Sequence, residues 1–158
     1  MAAGFTIEIP TKLPASRVFQ AGCMNVHKVA PVVIPEMVTG GELLNGDGDV
    51  GTIKHLKFTN ALPYSYHKER VDKLDKENYE SVCTLIEGGD LGTKVSSAVY
   101  HEKLTPTADG GCIFKMTAEY TINPGVNVDE YVNEDKEQAI GLFKALEAYL
   151  LANPNLYA

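Results

Sequence analysis

The chain has 158 residues, a length that suits one domain spanning residues 1–158 and argues against a second. Acidic residues outnumber basic ones 21 to 14, giving a formal charge of -7 and no block of Lys or Arg that could track phosphates, so electrostatically driven nucleic-acid binding is disfavoured. Cys23, Cys83 and Cys112 are an odd, widely spaced set without a CxxC pair, and no apolar run approaches the roughly 18 residues of a membrane span, so reduced thiols, a cytoplasmic location and no membrane partner are expected.

Along the chain, Phe5 to Ile9 alternates like a strand, and Pro10 and Pro14 punctuate the segment after it. Pro14 to Ala21 reads as a short helix. His27 to Ile34 reads as a second, ending at Pro35 and short enough to tolerate Pro31. From Val38 to Thr121 the pattern predicts strands broken by turn signals at Gly46 to Gly51, Asn60 to Pro63, Lys76 to Asn78, Gly88 to Gly92 and Pro106 to Gly111. Connections this short imply an antiparallel meander.

Asn123-Pro124-Gly125 ends the last strand, and Asp129 and Glu130 suit the dipole at the start of a long helix running to about Ala152. Its second half is amphipathic, with Ala139, Leu142, Phe143, Leu146, Tyr149 and Leu150 at helical spacing. The first half, with Glu134, Asp135, Lys136, Glu137 and Gln138, is too polar to cover a dry core, which places it beside solvent or a wet cavity. One curved sheet around one long helix is an α+β architecture.

The run Asn45-Gly46-Asp47-Gly48-Asp49-Val50-Gly51-Thr52 contains Gly46-x-Gly48-x-x-Gly51, a spacing shared with dinucleotide-binding loops. Such a loop needs a helix N-terminus directly after it, so that free amides and the helix dipole face the phosphates. Here Thr52 to Phe58 alternates like a strand, and the glycines are better read as a turn. His27, His55 and His101 are scattered without metal-ligand spacing, so neither a metal nor a cofactor is expected.

Several separate motifs stand in one order along the whole chain: Gly46-Asp47-Gly48-Asp49-Val50-Gly51-Thr52-Ile53-Lys54, Tyr66 through Asp72, Leu85-Ile86-Glu87-Gly88-Gly89, Asp109-Gly110-Gly111 and the ending Ala148-Tyr149-Leu150-Leu151-Ala152-Asn153-Pro154. In these the chain resembles the pathogenesis-related class-10 proteins of plants, the family of the major birch pollen allergen. The resemblance implies a helix-grip fold, in which a curved seven-stranded antiparallel sheet surrounds a long C-terminal helix with two short helices. It also implies a large internal cavity and a monomer that binds flavonoids, cytokinins, steroids or fatty acids in plant defence or metabolite handling. Some relatives catalyse alkaloid-forming condensations. Abscisic-acid receptors share the general fold, but their gate and latch motifs are not visible at Asn60-Ala61-Leu62-Pro63 and Glu87-Gly88-Gly89-Asp90, and phosphatase inhibition is not carried over.

Two function classes stay open: a binder of small hydrophobic or amphipathic molecules, and an enzyme of specialised metabolism. His67 and Glu69, two apart on a strand, share a face and have the chemistry of an acid/base pair, though from the residues alone a solvated charged strand face is the favoured reading of the run. By resemblance, Glu69 matches a cavity carboxylate of the norcoclaurine synthases, while His67, Ser81 and Tyr100 stand where those enzymes place a tyrosine, a lysine and a second acid. Without a lysine at Ser81 that condensation is not carried over. If the protein is an enzyme, His67, Glu69 and Tyr100 are its candidate catalytic groups.

Tyr100, Glu102 and Ala98 share a second face, and Phe114, Met116, Ala118 and Tyr120 form the apolar face of the last strand. Leu56, Phe58, Tyr66, Cys83 and Leu142, with Ser81 and Gln138, complete the candidate lining. The bland alternative for this stripe is ordinary core. A lesser alternative that the resemblance implies, ribonuclease activity through the glycine loop, Lys54, Glu147 and Tyr149, sits poorly with the acidic balance, which offers no phosphate groove.

Overall fold

The computed structural model describes residues 1–158. Seven strands, β1 (Ala2–Thr11), β2 (Val38–Leu44), β3 (Ile53–Phe58), β4 (Tyr66–Asp75), β5 (Glu80–Gly88), β6 (Val95–Pro106) and β7 (Cys112–Ile122), form one antiparallel sheet in the order β1-β7-β6-β5-β4-β3-β2. The meander runs from β2 to β7. β1 then pairs with β7 along its length, from Ala2 opposite Thr121 to Thr11 opposite Cys112. The sheet stays open between β1 and β2, and the architecture is the expected α+β helix-grip arrangement.

β1 begins earlier than Phe5 and continues through Pro10. As an edge strand it has one side without ladder bonds, where the missing N–H of a proline is tolerated. The first helix also differs from the expected Pro14 to Ala21: α1 (Ala15–Phe19) passes into a π-helical turn at Gln20–Met24, and α2 (Val26–Val33) comes directly after it. Asn25 closes the turn, its side-chain amide donating to the Gln20 carbonyl at 2.9 Å. α2 lies close on β2 because Gly41 has no side chain; a Cβ there would stand 2.5 Å from the His27 carbonyl oxygen.

The glycine loop runs directly into β3 with no helix behind it. Gly48 and Gly51, at φ 123° and 94°, make the reversal, and the Gly51 amide ties the loop to the Val71 carbonyl on β4 at 2.8 Å.

The long helix α3 (Val128–Ala152) is capped by Asn127, whose side-chain oxygen accepts from the Glu130 amide at 3.1 Å. Its other end is held by Arg17 of α1. That buried guanidinium donates from Nε to the Leu156 carbonyl and from Nη2 to the Leu150 carbonyl, both at 2.8 Å, and also to the Asn153 carbonyl. The second half of α3 buries Phe143, Leu146 and Leu150 against Phe19, Leu104 and Phe114, with Phe114 and Phe143 stacked at 4.5 Å. The first half has only Tyr131 fully buried.

Two irregularities interrupt the ladders of the middle strands. Pairing of β4 with β5 shifts register between Lys68 and Glu69 and again between Val71 and Lys73. β5 pairs with β6 only over Glu80 to Thr84, so Leu85 to Gly88 run beside β4 alone. Space remains beneath this part of the sheet.

Candidate functional site

The space is a cavity of about 210 Å³ between the sheet and α3, and 16 of its 26 lining residues are hydrophobic. It is smaller than the large cavity implied by the resemblance, and below the roughly 300 to 1,000 Å³ of drug-sized ligand sites; Phe58, Tyr100, Met116 and Tyr131 are among the bulky side chains that line it. A smaller annex of about 50 Å³, almost wholly apolar, adjoins it beyond Glu102 and Met116.

Strand parity decides which side chains enter. Leu56 and Phe58 of β3, His67 and Glu69 of β4, Ser81 and Cys83 of β5, Tyr100 and Glu102 of β6 and Met116 of β7 line the cavity, as do Gln138 and Leu142 of α3. Tyr66 does not. It is adjacent to His67 in one strand, so it points to the outer face, where its hydroxyl donates to Glu87 at 2.9 Å. Ala98 is fully buried in the main core, and Phe114 borders the annex rather than the cavity. Gly46, Gly48 and Gly51 lie outside the lining and serve the turn.

At the sheet side of the cavity stands Lys54, which alternation with Leu56 and Phe58 directs inward and which is only 6% exposed. Its ammonium donates to the carbonyl of Cys23, an acceptor at the end of the π-helical turn. Burial alone would lower its pKa, but the negative charges of Glu102 and Glu69 help turn the net direction upward, so the cation keeps its proton. Glu102 is raised, chiefly by burial and against the pull of the Cys23 thiol and Lys54. Cys23 donates its thiol proton to Glu102 at 2.9 Å, and burial holds that thiol well above its ordinary value. Burial likewise pushes Cys83 up to about 12, so neither thiol is an activated nucleophile.

His67 Nε2 lies 3.6 Å from Glu69 Oε1, an ion-pair distance when the imidazole is protonated but too long for a hydrogen bond. The same nitrogen is buried without any hydrogen-bond partner, and the ring meets Phe58 edge-on at 4.9 Å. Tyr100 is not part of that pair. Its hydroxyl donates at 2.8 Å to Asp135 on α3, which also accepts from the Tyr120 hydroxyl. Burial first, and then Asp135, hold the Tyr100 phenol far above its ordinary value, so it is a fixed hydrogen-bond donor.

Of the suggested ribonuclease set, Lys54 lines the cavity whereas Glu147 and Tyr149 do not, so the three are not assembled into one site. Sequence reasoning also passes over lining residues: Lys54 as a cavity group, Tyr64 and Asp90 from loops, and Tyr131 and Asp135 from α3. Strand parity is enough to find Lys54. Nothing local marks Asp135 among the charges of its helix.

Residues 1–153 match the Pathogenesis-related protein Bet v 1 family. The chain belongs to that family. It is similar to Pathogenesis-related protein 1 of Asparagus officinalis, 44% identical over 95% of this chain and 94% of that protein. It is 42% identical to major allergen Pru ar 1 of Prunus armeniaca, over 97% and 96% of the two chains. Among solved structures, Ara h 8.0201 superposes with a TM-score of 0.84 at 25% identity, covering 96% of this chain and 99% of that one. Norcoclaurine synthase from Thalictrum flavum, in complex with dopamine and hydroxybenzaldehyde, superposes with a TM-score of 0.77, covering 96% and 88%; at 22% identity it shares the Bet v 1 fold and supports no more than that. No helix is long and apolar enough to cross a membrane, and all three cysteines are free.

Proposed function

We propose that this Bet v 1 family chain binds small amphipathic molecules in the cavity between the sheet and α3, acting in plant defence or metabolite handling, as a monomer in a reducing cytoplasmic compartment. The observation that carries the reading is the composition of the wall. Sixteen apolar lining residues offer contact area, while Lys54, His67, Glu69, Asp90, Glu102 and Asp135 supply a small number of polar anchors, the combination that suits a ligand with an apolar body and a polar group. The small volume favours molecules of one or two rings. Burial of so little apolar surface with few fixed contacts leads to affinities of roughly micromolar order.

The test is calorimetric titration with single-ring phenols and alcohols, using the protein and a Met116→Trp variant that fills the cavity. Micromolar binding lost in a folded Met116→Trp protein is the expected result. Equal binding by both proteins would place the ligand elsewhere.

A second reading, an enzyme on the same scaffold, is favoured by His67 and Glu69, which line the cavity 3.6 Å apart, with His67 Nε2 free of any hydrogen bond. If turnover of a candidate substrate is found, His67→Ala and Glu69→Gln should each lower kcat by roughly 10²-fold or more, the scale of general acid/base catalysis. Unchanged turnover in both would leave the protein a binder.

A further inference from the structure

The charges that line the cavity are unevenly placed. Lys54 lies among Glu102, Glu69 and the two thiols at the sheet side, where its positive charge is already engaged. The α3 side has two carboxylates and no lysine or arginine in the lining: Asp90 from the β5–β6 loop and Asp135 from α3. Each lies in the field of the other. Two tyrosines, Tyr64 from the β3–β4 loop and Tyr131 one turn before Asp135 on α3, lie in the field of both. The positive groups that reach these acids are His67, toward Asp135, and Lys94, toward Asp90 from outside the cavity.

Hydrogen-bond accounting points the same way. Asp135 accepts two tyrosine hydroxyls on Oδ2 and nothing on Oδ1. The side chains of Asp90 and Glu69 accept no hydrogen bond, and Glu69 has only the 3.6 Å approach of His67. Tyr131 is 6% exposed and lines the cavity, yet its hydroxyl makes no hydrogen bond, although the same ring packs edge-on to Tyr120 at 5.1 Å. These carboxylates are partly buried and line the cavity, so their open oxygens can accept donors from a ligand.

We propose that the Asp90 and Asp135 end of the cavity is an ammonium site, and that the ligand class of this protein is an organic amine, bound as its cation, on a body of one or two rings. The inference rests on the ligand-binding reading above and narrows it. A primary ammonium brings three N–H donors to the open carboxylate oxygens. The rings of Tyr64, Tyr131 and Phe58 supply the electron-rich, apolar walls that favour an organic cation over a hydrated metal ion. An anionic ligand would meet Glu69, Asp90 and Asp135 with only His67 and the engaged Lys54 to offset them. A neutral ligand would leave the acids without a countercharge.

The experiment compares three probes of one shape at pH 7 by calorimetry: 2-phenylethylamine as the cation, 2-phenylethanol as the neutral form and 3-phenylpropionate as the anion. The amine should bind about tenfold or more tighter than the alcohol, with the anion weakest. In the double variant Asp90→Asn/Asp135→Asn, shown by circular dichroism to be folded, the amine and alcohol should come within about twofold of each other. Should Asp135→Asn weaken folding, Asp90→Asn alone, in a loop, must still reduce the amine's advantage. Alcohol or anion binding as tightly as the amine would overturn the ammonium site and leave the ligand-binding reading standing. An advantage that survives the double variant would overturn its placement. Binding of none of the three would remove both.

Discussion

Replacing Lys54 by Met keeps most of the side-chain volume and removes one buried charge, which makes it a direct probe of the electrostatics beneath the sheet. Two interactions are lost. The charge-assisted hydrogen bond to the Cys23 carbonyl disappears at every pH, and Glu102 and Glu69 lose the cation between them. Breaking a buried pair by removing one partner costs about 3–5 kcal/mol. Part of that deficit must depend on pH. Glu102 is already raised by burial, and losing Lys54 raises it further. A carboxyl whose folded pKa lies above its unfolded value contributes stability below the unfolded value and loses it as pH rises through the folded one. The Lys54→Met deficit is therefore largest near pH 7 and shrinks toward pH 5, by up to about 2.7 kcal/mol at 1.36 kcal/mol per pH unit. Urea unfolding of both proteins at pH 5, 6 and 7 reads this directly. Adding Glu102→Gln to Lys54→Met should recover the pH-dependent part, leaving the lost Cys23 contact. A deficit of equal size at pH 5 and pH 7, or a double variant no more stable than the single one, would refute this account of the cluster.

Arg17→Met removes a buried guanidinium that holds the carbonyls of Leu150, Asn153 and Leu156, and should destabilise the fold by about 2–4 kcal/mol while accelerating amide exchange mostly at the C-terminal end of α3. Exchange rising equally throughout the sheet would mean that the clamp is not local. Asp135 is held above the ordinary carboxylate value chiefly by burial, so its stabilising share is present at low pH and lost as pH rises through that raised value. Asp135→Asn should therefore compare better with the parent at pH 7 than at pH 4 in thermal melts; the opposite trend would show that the two tyrosine donors outweigh desolvation.

The strands and the long helix are legible because alternation, turn residues and helical spacing are local properties, and the motifs from Gly46 to Pro154 specify one arrangement of them. The limits lie where local rules compete. Pro10 reads as a terminator, yet an edge strand tolerates it, and α1 reads as stopping at Ala21 although the chain continues through a π-helical turn into α2. The same period of two explains both the success and the error in the lining. His67 and Glu69, or Ser81 and Cys83, share a face at any register, whereas Tyr66 next to His67 cannot. What parity cannot reach is the meeting of elements distant in sequence. Asp135 is one charge in the run from Glu134 to Gln138 until the helix sets it against Tyr100 and Tyr120, 35 and 15 residues away in the chain. Asp90 is a turn residue until the departure of β5 from β6 brings its loop over the same space. The overall acidic balance argues only against nucleic acid. The polarity of the cavity arises from β3, β4, β6, α3 and a loop, each of which brings a charged side chain to one shared space.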